Sequence, residues 1–279
     1  MDRADSNPQG SGAASVRPAA VAGLFYPQPA ETLRGAVDRL LALAERAHPL
    51  QSAAPPKALI VPHAGYRYSG AIAAAGYARL RPLRSRIRRV VLLGPSHRVP
   101  LRGMAVASVD AFATPLGNVP LDSVARAAVE DLPAVRVDDA PHALDHAIEV
   151  QLPFLQRCLD RFHLIPVSVG NCAAQTVARL LDELWGDEDT LIVVSTDLSH
   201  FHPYDQAHDI DGATIERILH RAHDIAGEQA CGCHALNGLM LAAHRYDLQV
   251  DLVDCCNSGD SGGGLERVVG YASFVLHQS

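Results

Sequence analysis

The sequence predicts an α/β fold of three layers, a mixed but mostly parallel sheet with helices on both faces, and three features point to it. Lys57 to Val61 (KALIV), Arg89 to Leu93 (RVVLL) and Thr190 to Val194 (TLIVV) are short runs that stay apolar after their first residue. Strands without polar alternation are buried on both faces, as in parallel sheets whose crossovers lay helices on either side. Helical periodicity separates the runs, so strand and helix alternate along the chain. No composition shift or long polar linker divides the 279 residues, and 48% hydrophobic residues suffice for one large core, so a single domain over 16–279 is expected.

Taken in order, residues 1–15 are Gly, Ser, Ala, Asn and Asp without periodicity and read as a mobile tail. From Glu31 to Ala47, Leu33, Val37, Leu40, Leu41 and Ala44 recur at helical spacing between Pro29 and Pro49. KALIV reads as a strand, and the Ala-rich stretch from Ser69 to Arg79 as a helix. RVVLL opens a second strand. Met104 to Ala107 and the stretch ATPLGNVPLD read as a strand and a Pro/Gly turn, so part of the sheet is expected to be antiparallel. Asp145 to Leu159 places Ile148, Leu152, Leu155 and Leu159 on one helical face, with Pro153 as a kink. Gln175 to Trp185 is helical and TLIVV is a strand. Thr214–Ala222 and Leu236–Tyr246 read as helices, and Leu248–Val253 and Val268–Leu276 as strands.

Composition narrows the function classes. No apolar run approaches the roughly 20 residues of a membrane span, and the first residues lack the apolar centre of a signal peptide, so a cytoplasmic protein is expected. Its six cysteines are then expected to be reduced. A net charge of −7 without a basic run argues against nucleic acid and anionic membrane as partners.

Fourteen histidines are the compositional oddity. His63 (VPHAGY), His97 (GPSHR) and the pair Asp197 and His200 (STDLSHF) each follow the carboxyl end of an apolar strand. In open α/β sheets ligands bind outside those ends, so these residues are expected to converge. One loop histidine would ordinarily be bonded to backbone, but three in equivalent positions point to a site for a metal or a proton shuttle. HALDHAIE adds His142, His146 and Glu149 at helical spacing, with His146 and Glu149 the favoured functional pair and a solvated helix face an equal reading. Cys231 and Cys233 (ACGCH) precede a helix-like run whose dipole favours a thiolate, although free cysteines are commonly just buried.

These segments, with RPAAVAGLFYP, ATPLGNVPLD, DHAIEVQLPFLQ and NSGDSGG, resemble in order the blocks of the Memo family from about Arg17 to the end, most of all its branch called AmmeMemoRadiSam system protein B. The resemblance implies an α/β/α fold similar to class III extradiol ring-cleaving dioxygenases. It further implies His63, His97 and Cys231 as metal ligands, with Asp197 and His200 as pocket residues, His200 in the acid–base place, and His146 and Glu149 as a further polar pair. With a thiolate in place of the carboxylate of a facial triad, iron(II) or copper is the implied metal, and zinc is less favoured. Cys233 and His234, after the ACG motif, are further soft donors in this chain.

Three functions follow as expectations. The first is a dioxygenase-like redox enzyme in which His200 and Asp197 move protons. The second is a binding or adaptor module that uses the same cleft for a peptide or protein, the resemblance implying AMMECR-type and radical SAM protein partners. The third, ranked last, is a zinc hydrolase with Glu149 or His200 as base.

Overall fold

Alternate residues of the apolar strands belong to opposite cores. Ala58, Ile60, Val91, Leu93, Ile192 and Val194 lie in one hydrophobic cluster. Their neighbours Leu59, Val61, Val90, Leu92, Leu191 and Val193 lie in another. Period-2 side-chain alternation thus feeds two separate cores, one on each face of the sheet.

The computed structural model describes residues 14–49 and 54–278. In chain order the elements are β1 (Val16–Arg17), α1 (Ala30–Ala47), β2 (Pro56–Val61), α2 (Tyr66–Ala78), β3 (Arg89–Pro95), β4 (Met104–Val106), β5 (Ala111–Thr114) and β6 (Gly117–Pro120). There follow α3 (Ser123–Val129), β7 (Val135–Val137), α4 (Ala140–Ala143), α5 (Leu152–Cys158), β8 (His163–Val169), α6 (Ala174–Leu184) and β9 (Thr190–Ser195). The chain closes with β10 (His200–His202), α7 (Tyr204–Leu219), α8 (Cys233–Arg245), β11 (Leu248–Asn257) and β12 (Val268–Gln278).

The main sheet runs β10-β12-β2-β9-β3-β8-β4-β7, with β11 also paired to β12. Its centre is parallel: β2 with β9, β9 with β3, and β3 with β8. Antiparallel β12 and β4 flank that centre. Helices α1, α2 and α5 bury Leu33, Val37, Leu41, Tyr77, Phe154 and Leu155 on one face. On the other, α6 and α8 bury Val177, Leu180, Leu181, Leu236, Leu239 and Met240. The architecture is the three-layer α/β/α arrangement with a mixed, mostly parallel sheet. A small second sheet, β1-β5-β6, ties the start of the chain to the 111–120 hairpin.

Several local expectations change. Residues 1–13 lie outside the described residues, but Ser15 is tied down, its backbone N–H and hydroxyl both bonding the Asp110 carboxylate at 2.7 and 3.0 Å. Pro153 does not kink a helix begun at Asp145. It occupies the first turn of α5, where a missing N–H costs nothing, after a short 3-10 turn at Glu149–Gln151. His142, at the end of α4, and His146, in the following loop, therefore do not share a helix face. No helix among the described residues is long and apolar enough to cross a membrane.

Candidate metal centre

Because β2, β9 and β3 are neighbouring parallel strands, the loops after them emerge at one end of the sheet. His63 stands two residues past β2, His97 two past β3 and Asp197 two past β9. A third imidazole arrives from elsewhere: His146, in the loop between α4 and the 3-10 turn. Gly94 admits that loop, since a Cβ there would lie 3.1 Å from Ala147 Cβ and 3.3 Å from Ile148 Cγ1. The His97 and His146 rings stack at 4.7 Å, and His63 meets them edge-on at 5.1 and 5.2 Å. One ligand atom of each lies within 4.8 Å of the other two.

The neighbours of two rings fix which nitrogen is free. Ser195 Oγ donates to the Ala147 carbonyl at 2.7 Å and accepts from Gln151 Nε2 at 2.9 Å. Its one proton is thereby used, so the 2.9 Å contact with His63 Nδ1 is donated by the ring, which leaves Nε2 the unprotonated nitrogen. Asp145 does the same for His97, accepting from its backbone N–H at 2.6 Å and from Nδ1 at 3.2 Å. Burial alone would raise the Asp145 pKa, but the hydrogen bonds from His97 and Ala147 hold it well below the usual carboxylate range. Contacts of this kind orient an imidazole that ligates a metal. His146 is different: its Nδ1 is buried and has no hydrogen-bond partner. Burial, then the neighbouring imidazoles, push the His63 pKa well below its ordinary value. Burial and His97 bring His146 down to about 4. His63 and His146 are thus kept neutral, the state in which imidazole binds metals.

Cys231 stands beside the trio rather than within it. Its Sγ is 3.2 Å from His63 Nε2 and accepts the Asp197 backbone N–H at 3.3 Å. Burial, reinforced by the Asp197 charge, pushes the thiol up to about 12, against the helix-dipole expectation of a thiolate. Cys233 is buried in the apolar core. His234 turns away to the Cys172 carbonyl at 2.9 Å.

Asp197 is buried, and its Oδ1 accepts the His63 backbone N–H at 2.7 Å. Burial raises its pKa to about 7. His200, half-buried, has its pKa lowered by burial against a hydrogen bond to the Leu198 backbone. The two share no hydrogen bond: Asp197 serves the His63 loop. Glu149 is fully buried and faces the start of the chain, bonding Arg17 Nη1 at 2.6 Å, the backbone N–H groups of Ala20 and Val21 at 2.8 and 3.0 Å, and Tyr26 Oη at 2.5 Å. Its acceptor capacity is consumed there, so the expected functional pair with His146 is split. His142 bonds the Ala105 carbonyl at 3.0 Å.

Sequence reasoning missed Ser195, Asp145 and Phe25, whose ring lies 4.4 Å from that of His146. Ser195 and Asp145 lie inside motifs already singled out, STDLSH and HALDHAIE, but only tertiary contacts reveal their roles.

Comparison with known proteins supplies the family. The sequence model of the family described as Memo-like protein matches residues 17–275. A MEMO1 family protein of Aquifex aeolicus is 36% identical over 273 residues, covering 94% of this chain and 99% of that protein. One of Methanopyrus kandleri is 33% identical over 290 residues, covering 94% of this chain and 99% of its own.

Proposed function

The chain belongs to the Memo-like protein family, and on that footing we propose that it is a metal-dependent oxidoreductase with a dioxygenase-like pocket. Its ion, iron(II) or copper, is held by His63, His97 and His146, with Cys231 as an adjoining sulfur donor. The observation that carries this reading is the buried Nδ1 of His146, without a hydrogen-bond partner and 3.8 Å from the Asp145 carboxylate, inside a trio of imidazoles. Burying an unpaired polar atom costs about 1–3 kcal/mol, and a coordinated ion removes that cost. The 3.2 Å between Cys231 Sγ and His63 Nε2 is close to the separation of two ligands on one first-row ion. Three imidazoles and a sulfur accept iron(II), copper or zinc alike, and the preference for a redox ion over zinc rests on the resemblance to the family.

When bound, such an ion supplies redox chemistry and an open position for a substrate. The chain's own groups handle the rest. Ser195 and Asp145 hold Nδ1 of His63 and His97, so that Nε2 of each ring would be the atom offered to the ion. Asp197, with a pKa near 7, holds or releases a proton around neutrality beside the His63 loop. His200, neutral at pH 7, accepts a substrate proton at its ring.

The test is elemental analysis of anaerobically purified protein together with oxygen-uptake assays on wild type, His63→Ala, His97→Ala and His146→Ala. About one iron or copper per chain, lost in each variant along with oxygen uptake, is the expected result. Stoichiometric zinc with no iron or copper uptake, or metal content unchanged in all three variants, would overturn the reading.

A further inference from the structure

We infer that the segment from Arg17 to Tyr26 is a positioning element of the metal centre, with Arg17 and Phe25 holding the His146 imidazole in its ligating orientation. The inference rests on the reading that the three imidazoles share an ion.

His146 needs such help because its own segment has little regular structure. Helix α4 ends at Ala143 and the 3-10 turn starts only at Glu149. Within the segment His146 has one local backbone bond, from Val150 N–H to its carbonyl at 3.0 Å. Its chain neighbours Asp145 and Ala147 are held by His97 and Ser195, each 48 residues away, and further anchors come from more than 100 residues away in sequence. Arg17, 6% exposed, spreads its guanidinium across the segment: Nε donates to the His142 carbonyl at 2.6 Å, Nη2 to the Asp145 carbonyl at 2.9 Å and Nη1 to Glu149 Oε2 at 2.6 Å. These three anchors bracket His146 on both sides.

Glu149 returns the contact, gripping the Ala20 and Val21 N–H groups and Tyr26 Oη. Phe25, next in chain to Tyr26, lays its ring against His146 at 4.4 Å and 31°. The Phe25 carbonyl also accepts the Tyr66 N–H at 2.8 Å, just past the His63 loop. The segment therefore touches the chain that carries His146 and the chain that follows His63.

Stability alone does not account for this design. A buried ion pair is commonly no more stabilising than apolar groups of the same volume, because both charges lose their hydration. What a guanidinium adds is a rigid fork of directed donors that fixes several acceptors in one geometry. Here the acceptors are the backbone around a ligand.

The probe is cobalt(II), added to the metal-free full chain, with affinity read by competition against a chelator and geometry read from its ligand-field bands. Arg17→Lys, which keeps the charge but loses the fork, and Phe25→Leu, which keeps an apolar contact but loses the ring face, are expected to weaken binding by about 10- to 100-fold and to change the bands. In a His146→Ala background the same substitutions are expected to add no further loss, because the ligand they position is gone. Variants that bind cobalt within about twofold of wild type with unchanged bands, or losses that add fully to His146→Ala, would overturn the inference. In that case cobalt binding that still disappears in His97→Ala leaves the metal reading standing. Binding that is insensitive to His63→Ala and His97→Ala overturns both.

Discussion

Replacing Ser195 with alanine removes one hydroxyl from the centre of three buried contacts, with the Ala147 carbonyl at 2.7 Å, Gln151 Nε2 at 2.9 Å and His63 Nδ1 at 2.9 Å. Each group left without a partner costs roughly 1–3 kcal/mol, and Gln151 is partly spared because it also donates to the Pro62 carbonyl. Taking the low end for all three gives about 3 kcal/mol. At about 2.1 cal/mol/K of unfolding entropy per residue, a chain of 279 residues converts this into a fall in Tm of about 5 °C. The substitution also frees the His63 ring to rotate and exchange tautomers, which should cost about 10- to 100-fold in metal affinity. Calorimetry of the metal-free protein measures the first effect and a competition titration the second. A Tm within about 1 °C of wild type together with unchanged affinity would refute the hydroxyl-centred network.

Three other predictions concern pH, packing and charge. Burial lowers the His142 pKa from 6.5 to about 4, so the folded state disfavours its proton and stability is lost as pH falls from about 6.5 towards 4; the loss amounts to about 3 kcal/mol, and His142→Gln removes that part of the acid dependence in urea titrations at stepped pH. Gly238→Ala puts a Cβ 2.4 Å from Val177 Cβ, where α8 packs on α6, so it should lower stability by about 1–3 kcal/mol while leaving cobalt affinity unchanged. Glu149→Gln leaves the Arg17 guanidinium buried without its counter-charge and should cost about 3–5 kcal/mol in thermal or urea unfolding; a change under about 1 kcal/mol would contradict the structural role assigned to Glu149.

What could be read from the sequence was whatever depends on local periodicity. The three apolar runs mark β2, β3 and β9, and the ends of those strands locate His63, His97 and Asp197, because parallel neighbours open on one side. Strand β8 is harder to read, because Pro166 sits inside HLIPVSV and proline normally argues against a central strand. Helix α7 begins at Tyr204, ten residues before the apolar stretch that suggested it, because its first turns are mostly exposed and carry few core positions. HALDHAIE has helical spacing without a continuous helix, so the periodicity that joined His146 to Glu149 misled. The turn between them sends one side chain to the imidazole cluster and the other to Arg17. Such a division is set by contacts with residues far away in the chain, which spacing cannot encode. The resemblance located Cys231, but only folding shows its sulfur beside His63 and outside the three-imidazole group.

The proposed centre requires three imidazoles to meet at one ion. X-ray absorption at the metal edge of protein loaded anaerobically with copper or iron counts them directly. The expected spectrum shows the outer-shell scattering of three imidazoles, falling to two in His146→Ala, with a sulfur near 2.3 Å that is lost in Cys231→Ala. A first shell with one imidazole or none, or the same imidazole count in wild type and His146→Ala, would contradict it.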